Sequence, residues 1–373
     1  MNTNITSNLH DIIVFCHLRW EFVIQRPQHI INRLAQDRKV LFVEEPLEYD
    51  EMNKGTFNTL QPSKNLTVIQ PRIPWGDFAD ILGPMVSKRA KDENITKPII
   101  WLYSAAFMKC VDAVEHSLLV YDCMDELSAF KGAPAELISM EKELLERADV
   151  VFTGGKSLYE SKNKLNANIH CFPSSVDQVH FEKALVATTE IPEDISVLTG
   201  TVVGYYGVID ERIDLDLLEK VANKMQEIQF VMIGPIVKIS EADLPRTSNI
   251  HYLGSKPYAQ LPNYLKRIDI AMMPFALNES TKFISPTKTL EYMAAHKPII
   301  STAIYDVVRD YSNEVTIINN PDEFIQAINT YIAEPTDQKE KRVILQKAVI
   351  NRTSWDNTVD QMKKIIEKTL SHK

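Results

Sequence analysis

The chain has 373 residues, of which 45% are hydrophobic, 24% charged and only 11 glycine, so it reads as a globular protein of two ordinary domains. A net charge of −9 with a sequence pI near 5.6 argues against nucleic acid as the main partner. Acid and base are spread over both halves; a basic membrane-facing half is not visible, although Lys88, Arg89 and Lys91 form a local patch.

In chain order, the N-terminal "MNTNITSNLHDIIVFCHLRW" lacks a basic region and a long apolar run, so neither a signal peptide nor a membrane span is expected. "IIVFC" (12–16) reads as a strand, "RPQHIINRLAQ" (26–36) as a helix with Pro27 in its first turn, and "KVLFV" (39–43) as a second strand. "PIIWLY" (98–103), "SLLVYD" (117–122) and "DVVFT" (149–153) are further strand candidates, with an amphipathic helix "PAELISMEKELLERA" between the last two. Runs apolar on both faces and separated by helices imply a parallel sheet covered on both sides.

The alternation loosens near 175–198 and then restarts. Strands "TVVGYYG" (201–207), "IQFVMIG" (228–234), "IHYLG" (250–254), "IDIAMMPF" (268–275) and "KPIIST" (297–302) are interleaved with helices 213–226, 258–266 and 286–296. The fold class is therefore α/β, with two doubly wound Rossmann-like domains: 1–180 and 199–353. A closing amphipathic helix (354–373) carries Trp355, Val359, Met362, Ile365 and Ile366 on one stripe. Four separated cysteines (Cys16, Cys110, Cys123, Cys171) form no CxxC pair and read as reduced, buried thiols of a cytoplasmic protein.

Open α/β sheets bind ligands beyond the carboxyl ends of their strands, at helix N-termini. Three stretches of the second domain carry suitable chemistry. In "GYYGVIDER", Gly207 allows close backbone approach and Arg212 suits a diphosphate, although an Arg in a surface loop is common. "HYLGSKPYAQLP" places Tyr258 where it can wall a base pocket. In "FISPTKTLEYMAAHKPIIST", Ser285 reads as N-cap and Pro286 as the first helical residue. Ser285 and Thr287 amides lie there at a helix N-terminus, Lys288 beside them adds a cation, and Glu291 sits one turn on. The bland alternative is a solvated Lys288–Glu291 pair worth a few tenths of a kcal/mol.

In the first domain, Arg26, Gln28 and His29 open a helix after a loop and are candidates to face an acceptor; a capped helix with ordinary polar residues is the competing reading. Asp122 and Asp125 in "YDCMDEL" and His17 after the first strand are similarly placed, and either aspartate is a candidate proton acceptor. His116, His170 and His180 are expected to be structural.

"SPTKTLEYMAAHKPIIST" resembles the carboxy-terminal donor motif of GT-B glycosyltransferases, in particular the family 4-like group. "GYYGVIDERID", "IHYLGSKPYAQLPNYLKRIDIAMMPF" and the final Trp-bearing helix match that group in order and spacing, while "WEFVIQRPQHIINRLA" and "LLVYDCMDELSAF" resemble a bacterial cell-surface polysaccharide subset. The resemblance implies a nucleotide-sugar donor, a UDP-sugar foremost, held by the second of two domains that face a cleft. It also implies a saccharide or lipid-linked acceptor on the first, a C-terminal helix returning to the first domain, and no metal or other cofactor. It places the chain in the cytoplasm, with peripheral association at the inner face of the plasma membrane, and gives no role to nucleic acid. Glu291 matches the second Glu of the E-x7-E motif, which binds ribose hydroxyls, and Arg212 and Lys288 match diphosphate-contacting positions. Asp125, Arg212 and Lys288 form the candidate catalytic set; Gly207, Arg212, Tyr258, Ser285, Thr287, Lys288 and Glu291 form the candidate donor set. The first Glu of the motif is replaced by Phe283, and Glu279 falls four residues too early. Donor sugar and anomeric outcome are therefore open. A nucleotide-sugar epimerase-like enzyme on the same scaffold and a non-catalytic sugar-nucleotide-binding protein are the alternatives. A dinucleotide oxidoreductase is disfavoured, since neither domain's first strand is followed by G-x-G-x-x-G.

Overall fold

The computed structural model describes residues 10–46, 55–73 and 78–373. The expectation about a leader in the first twenty residues falls partly outside them. The chain divides into two compact units, one of residues 1–173 with 356–373, the other of residues 174–355.

Among the described residues of the first unit, eight strands form one sheet: β1 (Ile12–Cys16), β2 (Val40–Glu44), β3 (Thr56–Ser63), β4 (Leu66–Arg72), β5 (Ile99–Leu102), β6 (Leu118–Cys123), β7 (Val150–Thr153) and β8 (Ile169–Cys171). Their order is β3-β4-β2-β1-β5-β6-β7-β8, parallel throughout except for β3, which runs antiparallel to β4. The β3–β4 hairpin escaped the sequence reading, because β3 is exposed along most of its length and carries no buried stripe. The last helix, Trp355–Leu370, belongs with this unit from Asp356 onward, burying Val359, Met362 and Ile366. Lys363 pairs with Asp37 at 2.6 Å, and Asn168 donates to the Thr369 hydroxyl at 3.1 Å.

The second unit holds a six-stranded, wholly parallel sheet: β9 (Val202–Tyr206), β10 (Gln229–Ile233), β11 (Ile250–Gly254), β12 (Ile270–Met273), β13 (Ile299–Thr302) and β14 (Thr316–Ile318), ordered β11-β10-β9-β12-β13-β14. The boundary lies at Pro173 rather than 180, because the connecting segment is part of this unit's core: Val176, Phe181, Ala184 and Ile195 pack with the strands. Chain order reverses between β9 and β12 in this sheet and between β1 and β5 in the other. Those are the topological switch points, where crevices open beyond the strand ends.

Candidate functional site

At the second unit's switch point, β9 is followed by Gly207 and β10 by Gly234. Gly207 has φ 139° and its N–H donates to the Ile233 carbonyl at 2.8 Å; Gly234 has φ 147°, and a Cβ there would stand 1.8 Å from the Gly207 carbonyl oxygen. Only glycine lets these two turns touch. A Cβ on Gly207 would meet the Lys288 side chain, 2.3 Å from Cε and 2.7 Å from Nζ. The lysine thus lies across the bare end of β9, its Nζ 5.4 Å from the centre of the Tyr205 ring.

Lys288 projects from the helix Thr287–Ala294, in which Thr289, Leu290, Glu291, Tyr292, Met293 and Ala294 are all buried. The N-cap is Pro286, not Ser285, and no side chain caps this end. Ser285 instead uses its carbonyl, which accepts from the Ser174 hydroxyl at 2.6 Å. Glu291 is 7% exposed, and its Oε2 accepts from the Tyr206 hydroxyl at 2.9 Å. Burial raises its pKa, against the pull of Lys288 and of hydrogen bonds from Tyr206 and Thr287. The exposed i,i+3 pair that sequence alone allowed is therefore excluded: this carboxylate is inside, one turn from an ammonium that crosses the end of β9.

The loop after β9 is stitched to the loop after β12. Asp214 N–H donates to the Pro274 carbonyl and Ala276 N–H to the Arg212 carbonyl, both at 2.8 Å. Arg212 does not stand alone in this loop. Asp210, 4% exposed, takes its guanidinium in a forked pair, Nη2–Oδ2 2.6 Å and Nε–Oδ1 3.0 Å, and also accepts its backbone N–H. The sequence reading missed Asp210, although an acid two residues before an Arg in a turn is the available signal. Tyr258 stacks on His180, ring centres 4.3 Å apart and 9° from parallel, and its carbonyl accepts from His180 Nε2 at 3.0 Å. His180, expected away from the ligand face, thus backs a candidate site residue. Phe283, where the first motif Glu would stand, is half-buried with Lys282 5.5 Å above its ring, while Glu279 is exposed and pairs with Lys282.

In the first unit, the candidates separate. Arg26 and Asp122 form a buried ion pair, 4% and 0% exposed at the side chain; Nε donates to both carboxylate oxygens, at 2.9 and 3.2 Å, and Nη1 to the Phe172 carbonyl at 2.7 Å. They tie the loop after β1 to the ends of β6 and β8. Gln28 is likewise spent internally: its amide donates to the carbonyls of Trp20 and Val23, both at 3.2 Å, and its oxygen accepts from Gln25 N–H at 3.0 Å. His29 is 7% exposed among the buried residues of the same helix. His17 and Asp125 remain half-buried at strand ends. His116 and His170 make local bonds, to the Val114 carbonyl and the Asn168 amide oxygen, each at 2.8 Å.

The Asp125 loop is clamped by residues the sequence did not single out. Lys162, 5% exposed, donates to Glu126 and Glu141, each at 2.8 Å, and the Tyr121 hydroxyl donates to Glu141 at 2.6 Å. Burial works against the Lys162 charge, but Cys123, Glu141 and Glu126 carry its pKa above the ordinary lysine value. Among the described residues, no group of three or more His, Cys, Asp or Glu stands where it could hold a metal ion, and no helix is long and apolar enough to cross a membrane.

Residues 200–334 match the family model described as Glycosyl transferases group 1. TuaH of Bacillus subtilis (strain 168), named as a teichuronic acid biosynthesis glycosyltransferase, is 24% identical over 315 residues, covering 78% of each chain. A sucrose-phosphate synthase from Thermosynechococcus elongatus superposes with a TM-score of 0.71 at 14% identity, over 98% of this chain and 100% of its own. The structure of trehalose-6-phosphate from E. coli bound with UDP-2-fluoro glucose gives a TM-score of 0.69 at 11% identity, over 96% of this chain and 99% of its own. Residues 200–334 are thus similar to the glycosyl transferases group 1 family, on a chain whose two units have the fold of the GT-B glycosyltransferases.

Proposed function

We propose that the chain transfers a sugar from a nucleoside diphosphate sugar, a UDP-sugar first, to a saccharide or lipid-linked acceptor in surface polysaccharide synthesis. The observation that carries this reading is the Lys288 ammonium lying across Gly207 with the buried Glu291 carboxylate one turn further on. A cation at a ligand-facing strand end suits a diphosphate, and a held carboxylate suits ribose hydroxyls. TuaH, by its name, supports the polysaccharide role, and the UDP-2-fluoro glucose complex supports the donor.

In the reaction, the bond between the anomeric carbon and the diphosphate oxygen breaks as the acceptor oxygen bonds that carbon. Lys288, the Arg212–Asp210 pair and the uncapped helix end at Thr287 meet the charge that develops on the leaving diphosphate. Tyr258, stiffened by His180, walls the base. These cations suffice without a bound metal in this reading, and turnover that persists in EDTA is the matching result. We place the enzyme in the cytoplasm, peripherally at the inner face of the plasma membrane.

The deciding experiment is calorimetry on Glu291→Gln. Charge-assisted bonds to ribose hydroxyls are worth roughly 1.5–3 kcal/mol, so nucleotide affinity drops about ten- to a hundredfold. The melting temperature stays close to the parent's, because Gln still accepts from Tyr206. Unchanged affinity removes Glu291 from the site.

On the acceptor side we keep Asp125 and His17. If transfer inverts the anomeric centre, Asp125 takes the acceptor proton, and Asp125→Asn lowers turnover by about 10²–10⁴. If transfer retains configuration, that loss is much smaller. Product anomeric configuration measured beside Asp125→Asn turnover decides; an inverting enzyme with an unimpaired variant excludes the residue.

A further inference from the structure

Glu211 lies half-buried in the loop after β9. Both of its side-chain oxygens are shielded from solvent, and among the described residues neither has a hydrogen-bond partner. The neighbouring cation does not serve it, because Arg212 is forked onto Asp210 through bonds of 2.6–3.1 Å. Two shielded carboxylate oxygens without a hydrogen bond call for a specific explanation.

The backbone around it is over-determined. Ile213 bridges to Phe275, the Arg212 carbonyl accepts from Ala276 N–H at 2.8 Å, and the Glu211 carbonyl faces the Asn278 amide at 3.5 Å. Asn278 is itself fixed, its side chain accepting from Ser280 N–H at 3.0 Å. Glu211 is thus held beside the loop after β12, the loop in which Phe283 stands where a donor-contacting carboxylate was expected.

We propose that Glu211 binds the hydroxyls of the donor's sugar, supplying from the loop after β9 the carboxylate that Phe283 does not. An ionised carboxylate accepts hydrogen bonds only, so it suits a hydroxyl-bearing ring and repels the diphosphate. The loop keeps it shielded and unbonded until a polyol arrives, a placement that trades stability of the free protein for selectivity. This inference rests on the donor reading above.

Glu211→Gln in the full chain tests it, with UDP, GDP, UDP-glucose, UDP-galactose, UDP-N-acetylglucosamine and GDP-mannose as calorimetric probes, with and without MgCl₂. Affinity for the nucleotide sugar that the parent binds falls about ten- to a hundredfold, while affinity for the matching free diphosphate changes less than about twofold. The melting temperature of the free variant is equal to or above the parent's, which a merely structural carboxylate would not produce. Four results overturn the proposal. Equal losses for diphosphate and nucleotide sugar place Glu211 on the nucleotide, and leave the donor reading standing. No loss for either removes Glu211 while also leaving that reading intact. A loss seen only with MgCl₂ assigns the carboxylate to a metal. A parent that binds none of the six probes ends both this inference and the donor reading.

Discussion

Lys288→Ala lowers turnover by about 10²–10³, the range for removing one preorganised group that meets developing charge. The lysine is held before any ligand arrives: its stem crosses the bare Gly207 backbone and its ammonium lies over the Tyr205 ring. In the proposed transfer, little reorganisation is then needed at the moment the diphosphate leaves. Nucleotide affinity falls less than turnover, because the full negative charge on the leaving oxygen exists only late in the reaction. Lys288→Arg does not restore the parent, since a planar fork replaces a compact ammonium in a gap bounded by backbone and ring. Steady-state turnover beside calorimetry on each variant provides the check. A Lys288→Ala variant with parental turnover moves the diphosphate elsewhere.

Arg26→Ala destabilises the protein by about 3–5 kcal/mol, the cost of leaving one member of a buried ion pair uncompensated. Burial already raises the Asp122 pKa, with the Arg26 guanidinium opposing that shift. Without the guanidinium, Asp122 must bind a proton or admit water to the end of β6. The same side chain closes the Phe172 carbonyl, so its loss loosens the link between the loop after β1 and the end of β8. Asp122→Ala has a comparable effect, as it strands the guanidinium. The double variant Arg26→Met with Asp122→Asn is more stable than the sum of the single losses predicts, since no unpaired charge remains. Denaturant titration of the three variants tests this; single losses below about 1 kcal/mol would show that water reaches the pair.

The Lys162 clamp belongs to the same class as the Arg26 pair. Each joins residues far apart in sequence, Glu126 and Glu141 with Lys162, and Arg26 with Asp122. Neither has a local signature: in sequence Asp122 is one of two candidate aspartates near a strand end, and nothing singles out Lys162.

Several features were legible from local pattern. The β/α alternation of both units, the opening of helices near Arg26, Leu215 and Thr287, and the strand ends at Gly207 and Gly234 all follow from apolar runs and punctuation in the chain. Motif resemblance pointed to the Lys288–Glu291 helix, and the family match covers that same region. The exposed β3 strand and the placement of 174–198 within the second core were not legible, because neither carries a periodic stripe of its own. Burial and partnership were decided only in three dimensions. Arg26, Gln28 and Asp122 look no different in sequence from Asp125 and His17, yet the first three are consumed in holding loops together. Asp210 and Glu211 are adjacent acids of one loop; one is forked onto Arg212, and the other has shielded oxygens with no hydrogen-bond partner among the described residues. Sequence specifies which groups can ionise and roughly where along each strand they fall. Which of them are desolvated, and against what, depends on contacts between distant segments, and those contacts separate a structural charge from one held ready for a ligand.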